Sequence, residues 1–272
     1  TAINTSRGNV RGGIGAIQYT AGWADKIVGE LITQMPMQSY FYTLMEPYGV
    51  VLNILPFNSP LAQFCSITSC ALVSGNCVVV KPSSSTPFSS LRYGELIAEA
   101  GFPPGVVNIV PTGEKGGEAL CSHPGINKIS FTGSVAAARK IMTYAAQNIT
   151  PVALELGGKS PSIIFNDIDP KDAVSFFIDA SIVRNAGQSC GKCARILVQS
   201  GIYDKVVELA KTAVEKIAVG DPLLDTTEMG PVLSKSKCDD VLGYIERGKK
   251  SGDCRLITGG YHLGNEFADG NF

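Results

Sequence analysis

Two histidines, one tryptophan and a near balance of acid and base are the scarcities that shape this chain. His123 and His262 lie in unrelated contexts, and Cys190 with Cys193 is the one Cys-x-x-Cys pair. The four tetrahedral ligands of a structural zinc site are therefore not assembled, and no metal site is expected. The pair also lacks the framework of a redox motif that opens a helix. With 23 Lys and Arg against 24 Asp and Glu, the formal charge is −1 and no basic groove for nucleic acid can be built. No apolar segment reaches membrane length, and no charged leader precedes an apolar core. No repeat recurs at a fixed period, which removes solenoids and propellers. Neither a G-x-G-x-x-G fingerprint nor a P-loop is present.

What is present suits a compact α/β protein of one large or two modest domains. Hydrophobic residues make up 44% and charged ones only 17%, with 30 glycines for tight strand-to-helix turns. Eight cysteines in 272 residues, several in apolar surroundings, read as reduced thiols, so the expected location is cytoplasmic, with mitochondrial admitted because N-terminal signals are absent from this chain. Thr1 is not a methionine and the chain closes on "FADGNF", so a longer polypeptide is expected at both ends.

The interior alternates strands and helices. "GVVLNILPF" reads as a strand stopped at Pro56, "PLAQFCSITSCALVSG" as a helix, and "NCVVVKPS" as a strand bounded by Pro82. The cycle repeats through a helix after Thr86 and Pro87, the strand "VVNIVP", the helix "GEKGGEALCSHPG", the strand "INKISFTG", the helix "SVAAARKIMTYAA" and the strand "TPVALELGG". Three successive βαβ units with continuously apolar strands predict a parallel sheet covered on both faces. A second block follows: strand "SPSIIFND", helix "DPKDAVSFFIDASIVRNAG", strand "KCARILVQ", a long helix over 202–220, a further helix from Ser234, and strand "CRLITGG". Before all of these, residues 30–49 read as an extended edge hairpin.

A nucleotide would lie beyond the C-terminal ends of such parallel strands, where helix N-termini open. Gly113 follows one strand, and Gly133 with Ser134 forms another strand-to-helix turn. Each is an ordinary tight turn or a phosphate contact, and Lys81, on the same side of the sheet, favours the second reading. Cys190, in "VRNAGQSCGKCARILV", is an attacking thiolate, half of a metal knuckle, or a small buried residue on local grounds alone.

"VALELGGKSP" with Glu155 precedes "GQSC" with Cys190 by 35 residues, and "PFNSPL", "VVVKPSSSTP", "FPPGVVNIVP", "FTGS" and "GDPLLDTTEMGPV" stand in one order around them. In these motifs the chain resembles the NAD(P)-dependent aldehyde dehydrogenases, over essentially its whole length. The resemblance implies a Rossmann-like cofactor domain and an incomplete catalytic α/β domain. It divides the chain into an N-terminal helical part (1–28), an oligomerisation hairpin (29–47), the cofactor domain (48–157) and a truncated catalytic domain (158–272).

It further implies oxidation of an aldehyde through a cysteine thiohemiacetal and thioester, with Cys190 as nucleophile, Glu155 as general base and Asn58 as oxyanion donor. Lys81, Ser84, Gly113, Gly133, Ser134, Leu55, Phe57, Leu156 and Gly157 would surround the cofactor. NAD is the expected cofactor, with NADP admitted because Ser84 stands where a ribose-binding glutamate is common. Homodimers or homotetramers are implied. Departures from the pattern are Ile67 at a usual lysine position, Phe57 for Trp, and Ala136 and Ala138 in the turn after Ser134. Ile67 and the altered turn leave room for a catalytically weak or crystallin-like structural relative, and because the same thioester can be released to a thiol, a relative that passes the acyl group to coenzyme A is a further alternative.

Overall fold

The computed structural model describes residues 1–33, 39–264 and 267–272. They divide into two compact units, Asn9–Leu156 and Thr1–Gly8 with Gly157–Phe272. Helix α1 runs over Ile3–Ala21. Its first residues group with the second unit, where the Ile3 N–H donates to the Pro222 carbonyl at 2.7 Å and Arg7 pairs with Asp225. The edge hairpin appears as two short antiparallel strands, β1 (Leu31–Ile32) and β2 (Phe41–Tyr42). Its tip, 34–38, lies outside the described residues.

The first unit is built on strands β3 (Val50–Ile54), β4 (Cys77–Lys81), β5 (Val107–Ile109), β6 (Lys128–Gly133) and β7 (Val152–Leu156). Between them run α2 (Pro60–Val73), α3 (Phe88–Glu99), α4 (Glu114–Cys121) and α5 (Val135–Ala146). All neighbours pair parallel, in the order β5-β4-β3-β6-β7. Strand order thus reverses between β3 and β6, and in an open α/β sheet that reversal places a crevice at the C-terminal strand ends.

Both faces are covered, as the unbroken apolar strands require. Leu52, Ile54, Ile129 and Phe131 meet Cys121, Ala138 and Ile141 of α4 and α5. On the other face Val78, Val80 and Phe64 meet Ile67, Tyr93 and Ile97 of α2 and α3. Phe64 and Leu52 are wholly buried, and each contributes roughly 1.5–3 kcal/mol.

The second unit pairs β8 (Ser160–Ile164) with β9 (Cys193–Val198) in parallel, and α6 (Pro170–Ile178) and α7 (Tyr203–Val214) pack over one face through Ile164, Val174, Phe177 and Val206. Helix α8 spans Lys235–Ser251. Three sequence expectations are corrected here. The helix expected up to Gly187 ends at Ile178, continues as a π-turn over Asp179–Val183, and then breaks where Asn185 (φ 55°), Ala186 (φ 50°) and Gly187 (φ 74°) adopt left-handed backbone. The helix from 202 stops at Val214, short of Gly220. The run "CRLITGG" is not a strand: among the described residues it pairs with neither β8 nor β9, and an apolar run without a ladder partner stays irregular.

Candidate active site

The sheet gathers most of the expected site residues along one edge. Leu55, Phe57 and Asn58 follow β3, Lys81 and Ser84 end or follow β4, Gly113 follows β5, Gly133 and Ser134 close β6, and Glu155 and Leu156 end β7. The Leu55 N–H donates to the Lys81 carbonyl at 3.0 Å, which ties the first two turns together. Asn58 stands just ahead of Ser59, the N-cap residue of α2, and Pro60, its first helical residue. Ile67, the apolar substitute for a lysine, packs on the cluster of Leu55 and Phe64.

Between α4 and α5 the edge opens into a cavity of about 410 Å³. Ile54, Cys121, Phe131 and Ile141 give it a buried apolar floor, and Glu114, Glu118 and Lys140 bring charge to it. Lys81 enters from β4, buried, with its Nζ donating to the Pro82 carbonyl at 3.2 Å. Burial pulls its pKa down, and Cys121 opposes that shift. Burial likewise pushes the Cys121 thiol up to about 11, with Lys81 pulling the other way. A side chain at Gly117 would press within 3.2 Å of Lys81 Cε, so this glycine leaves the lysine its place.

The expected phosphate turns differ in how they are built. Gly113 is extended and caps α4, with nothing within 4 Å of an added Cβ, so its backbone faces open space. Gly133 is required by packing, since a Cβ there would lie 2.4 Å from Phe131 Cζ. Ser134 caps α5, its hydroxyl accepting from the Ala137 N–H at 3.2 Å. A capped helix N-terminus with free N–H groups at the strand reversal favours an anion. Ser84 lies on the exposed turn after β4, outside the cavity lining. Floor, lysine and helix N-terminus together fit the adenosine and pyrophosphate of a dinucleotide.

Gly157 and Cys190 belong to the second unit. Cys190 is exposed in the turn that precedes β9, directly after the left-handed run. Gln188 braces that turn: its Nε2 donates to the Asn185 carbonyl at 3.0 Å and its Oε1 accepts from the Leu233 N–H at 3.0 Å. Left-handed backbone at non-glycine residues costs of order 1–3 kcal/mol and clusters at functional loops. All eight cysteines are free thiols, and no group of three or more His, Cys, Asp or Glu among the described residues could hold a metal.

Sequence reading does not single out Lys192, which is buried beside this turn with no hydrogen-bond partner for its Nζ among the described residues. Burial lowers its pKa, and Asp179 opposes the shift. Nor does it single out the Glu114–Lys140 ion pair, 2.6 Å long, which joins residues 26 apart in the chain. Lys192 is written in "SCGKC", but its burial is not.

The family model described as the aldehyde dehydrogenase family matches residues 1–272. An aldehyde dehydrogenase of Emericella nidulans is 43% identical over 97% of this chain and 53% of its own length. Aldehyde dehydrogenase 1A1 of Gallus gallus is 45% identical over 93% of this chain and 50% of its own. Among solved structures, a betaine aldehyde dehydrogenase of Staphylococcus aureus in complex with NAD+ superposes with a TM-score of 0.95 at 35% identity, over 100% of this chain and 55% of that one. An NADP dependent enzyme of E. coli gives 0.94 at 34% identity, over 100% and 56%. The chain spans about half the length of the curated relatives it matches. Matched by the family model over its whole length and by relatives 43% and 45% identical to it, the chain belongs to the aldehyde dehydrogenase family.

Proposed function

We propose that the protein is an NAD(P)-dependent aldehyde dehydrogenase that converts an aldehyde to a carboxylic acid. The observation that carries this reading is the strand-end cavity with Lys81 and the capped N-terminus of α5, in a chain matched over its whole length by the family. When bound, the dinucleotide supplies the hydride acceptor. The chain's own residues do the rest. The Cys190 thiolate attacks the carbonyl carbon and leaves a tetrahedral oxyanion, which the Asn58 side-chain amide stabilises, a contact typically worth about 2.7–4 kcal/mol. Loss of hydride from that carbon gives a thioester on Cys190. Glu155 then takes a proton from water, the water oxygen attacks the thioester carbon, the acid leaves as the Cys190 thiolate is expelled, and Glu155 releases its proton to solvent.

The exposed apolar residues of the hairpin, Leu31, Phe41, Tyr42, Leu44 and Met45, suit a surface shared with a second copy, in keeping with a homodimer or homotetramer. The nucleophile is tested by sub-stoichiometric alkylation followed by peptide mapping. Label on Cys190 is expected, and label confined to Cys193 or Cys254 with Cys190 inert would overturn the assignment.

A further inference from the structure

The strand-end cavity contains a carboxylate that the motif pattern does not foresee. Where the resemblance leads one to look for a ribose-reading carboxylate, the chain has Ser84, on an exposed turn outside the lining. The lining instead carries Glu114 from the first turn of α4, and Glu118 one turn on. Left alone, Glu114 would accept from ribose hydroxyls and repel a phosphate on the same ribose. It is not alone: its Oε1 lies 2.6 Å from Nζ of Lys140 on α5. The lysine holds the carboxyl below its usual range, and the carboxylate holds the lysine above its own, with Tyr144 and Glu118 adding to the second effect. Lys81 supplies the other ammonium of the cavity.

We propose that Lys140 is a specificity-determining residue: by engaging Glu114, with Glu118 close enough to act on the same ammonium, it offsets the carboxylates of the cavity, which then takes 2′-phosphorylated adenosine as readily as adenosine with a free 2′-hydroxyl. This rests on reading the cavity as the adenosine site of a nicotinamide dinucleotide. Both side chains are more than half exposed, so the pair is held by a modest electrostatic interaction rather than by burial. Screening by salt should weaken the effect, because the charges meet near solvent.

The test is calorimetric titration of the 272-residue chain with AMP and with adenosine 2′,5′-bisphosphate at low salt, with a thermal melt to show that each variant is folded. The parent is expected to bind the two within about threefold. Lys140→Met should weaken the bisphosphate about tenfold relative to AMP, because Glu114 is left unpaired facing the phosphate. Glu114→Gln should shift the ratio the opposite way, the double variant should return towards the parent, and Lys140→Arg should keep the parent ratio. If both ligands bind and the ratio is the same in all variants, the role of the pair is overturned while the cavity reading stands. If a folded parent binds neither ligand, the cavity reading falls and the proposal with it.

Discussion

Ser134 carries two separable jobs, and two substitutions pull them apart. Its hydroxyl accepts from the Ala137 N–H at 3.2 Å and so caps α5, the helix that supplies Ala137, Lys140, Ile141 and Tyr144 to the cavity. Ser134→Ala leaves that donor unpaired and should cost about 1 kcal/mol. For a cooperative unit of this size, that is a fall in midpoint of about 2–4 °C. Ser134→Asp keeps an N-cap acceptor and adds a charge that the helix dipole favours, so stability should hold or rise slightly. The same carboxylate would face the pyrophosphate. At ~6 Å and an effective dielectric near 20, one pair of unit charges repels by roughly 3 kcal/mol, or about a hundredfold in affinity. Thermal melts and calorimetric titration with ADP-ribose measure the two effects. An aspartate variant that melts like the parent and also binds ADP-ribose like the parent would refute the placement of the pyrophosphate at this helix end.

Much of the fold follows from local chemistry. The valine-rich runs of β3 and β4 have no choice of face to bury, since both sides of a parallel sheet are covered, and Pro56 and Pro82 stop them. The helix end at Ile178 could not be read, because "DASIVRNAG" contains no proline and its first glycine is Gly187; Asn185 tolerates left-handed backbone, whereas Ala186 does so only against its preference. Residues 254–260 show the opposite failure, where apolar composition promises a strand and only a ladder partner could make one. The positions of Gly113, Gly133 and Ser134 at strand-to-helix turns were legible because turn chemistry marks them, whereas Asn58 and Glu155 were picked out only by the resemblance. The Glu114–Lys140 pair and the buried Lys192 were not, since a contact between two helices and the burial of one amine are properties of packing rather than of spacing.

Two further perturbations test the chemistry and the cavity. Glu155→Gln in the enzyme should leave a pre-steady-state burst of reduced cofactor while steady-state turnover falls at least about 100-fold, because the amide cannot take a proton from water; undiminished turnover would remove Glu155 from the base role. The second concerns Cys121, 1% exposed on the cavity floor, whose thiol is pushed from about 9 up to about 11 by burial. Its folded pKa lies above its unfolded one, so between those values the native state keeps a proton that the unfolded state has released, and stability must fall as pH rises through that window. Lys81 acts in the other direction, because its folded pKa is lowered from 10.5 and the native state gives up its proton first, so its contribution grows with rising pH. Cys121→Ala removes the falling contribution and leaves the rising one. Its urea midpoint, lower than the parent's at pH 8 because a buried group is lost, should close on the parent's as pH approaches 11. If the gap between the two stays constant, the thiol does not titrate from a buried position and the cavity floor is not as dry as the packing of Ile54, Phe131 and Ile141 around it requires.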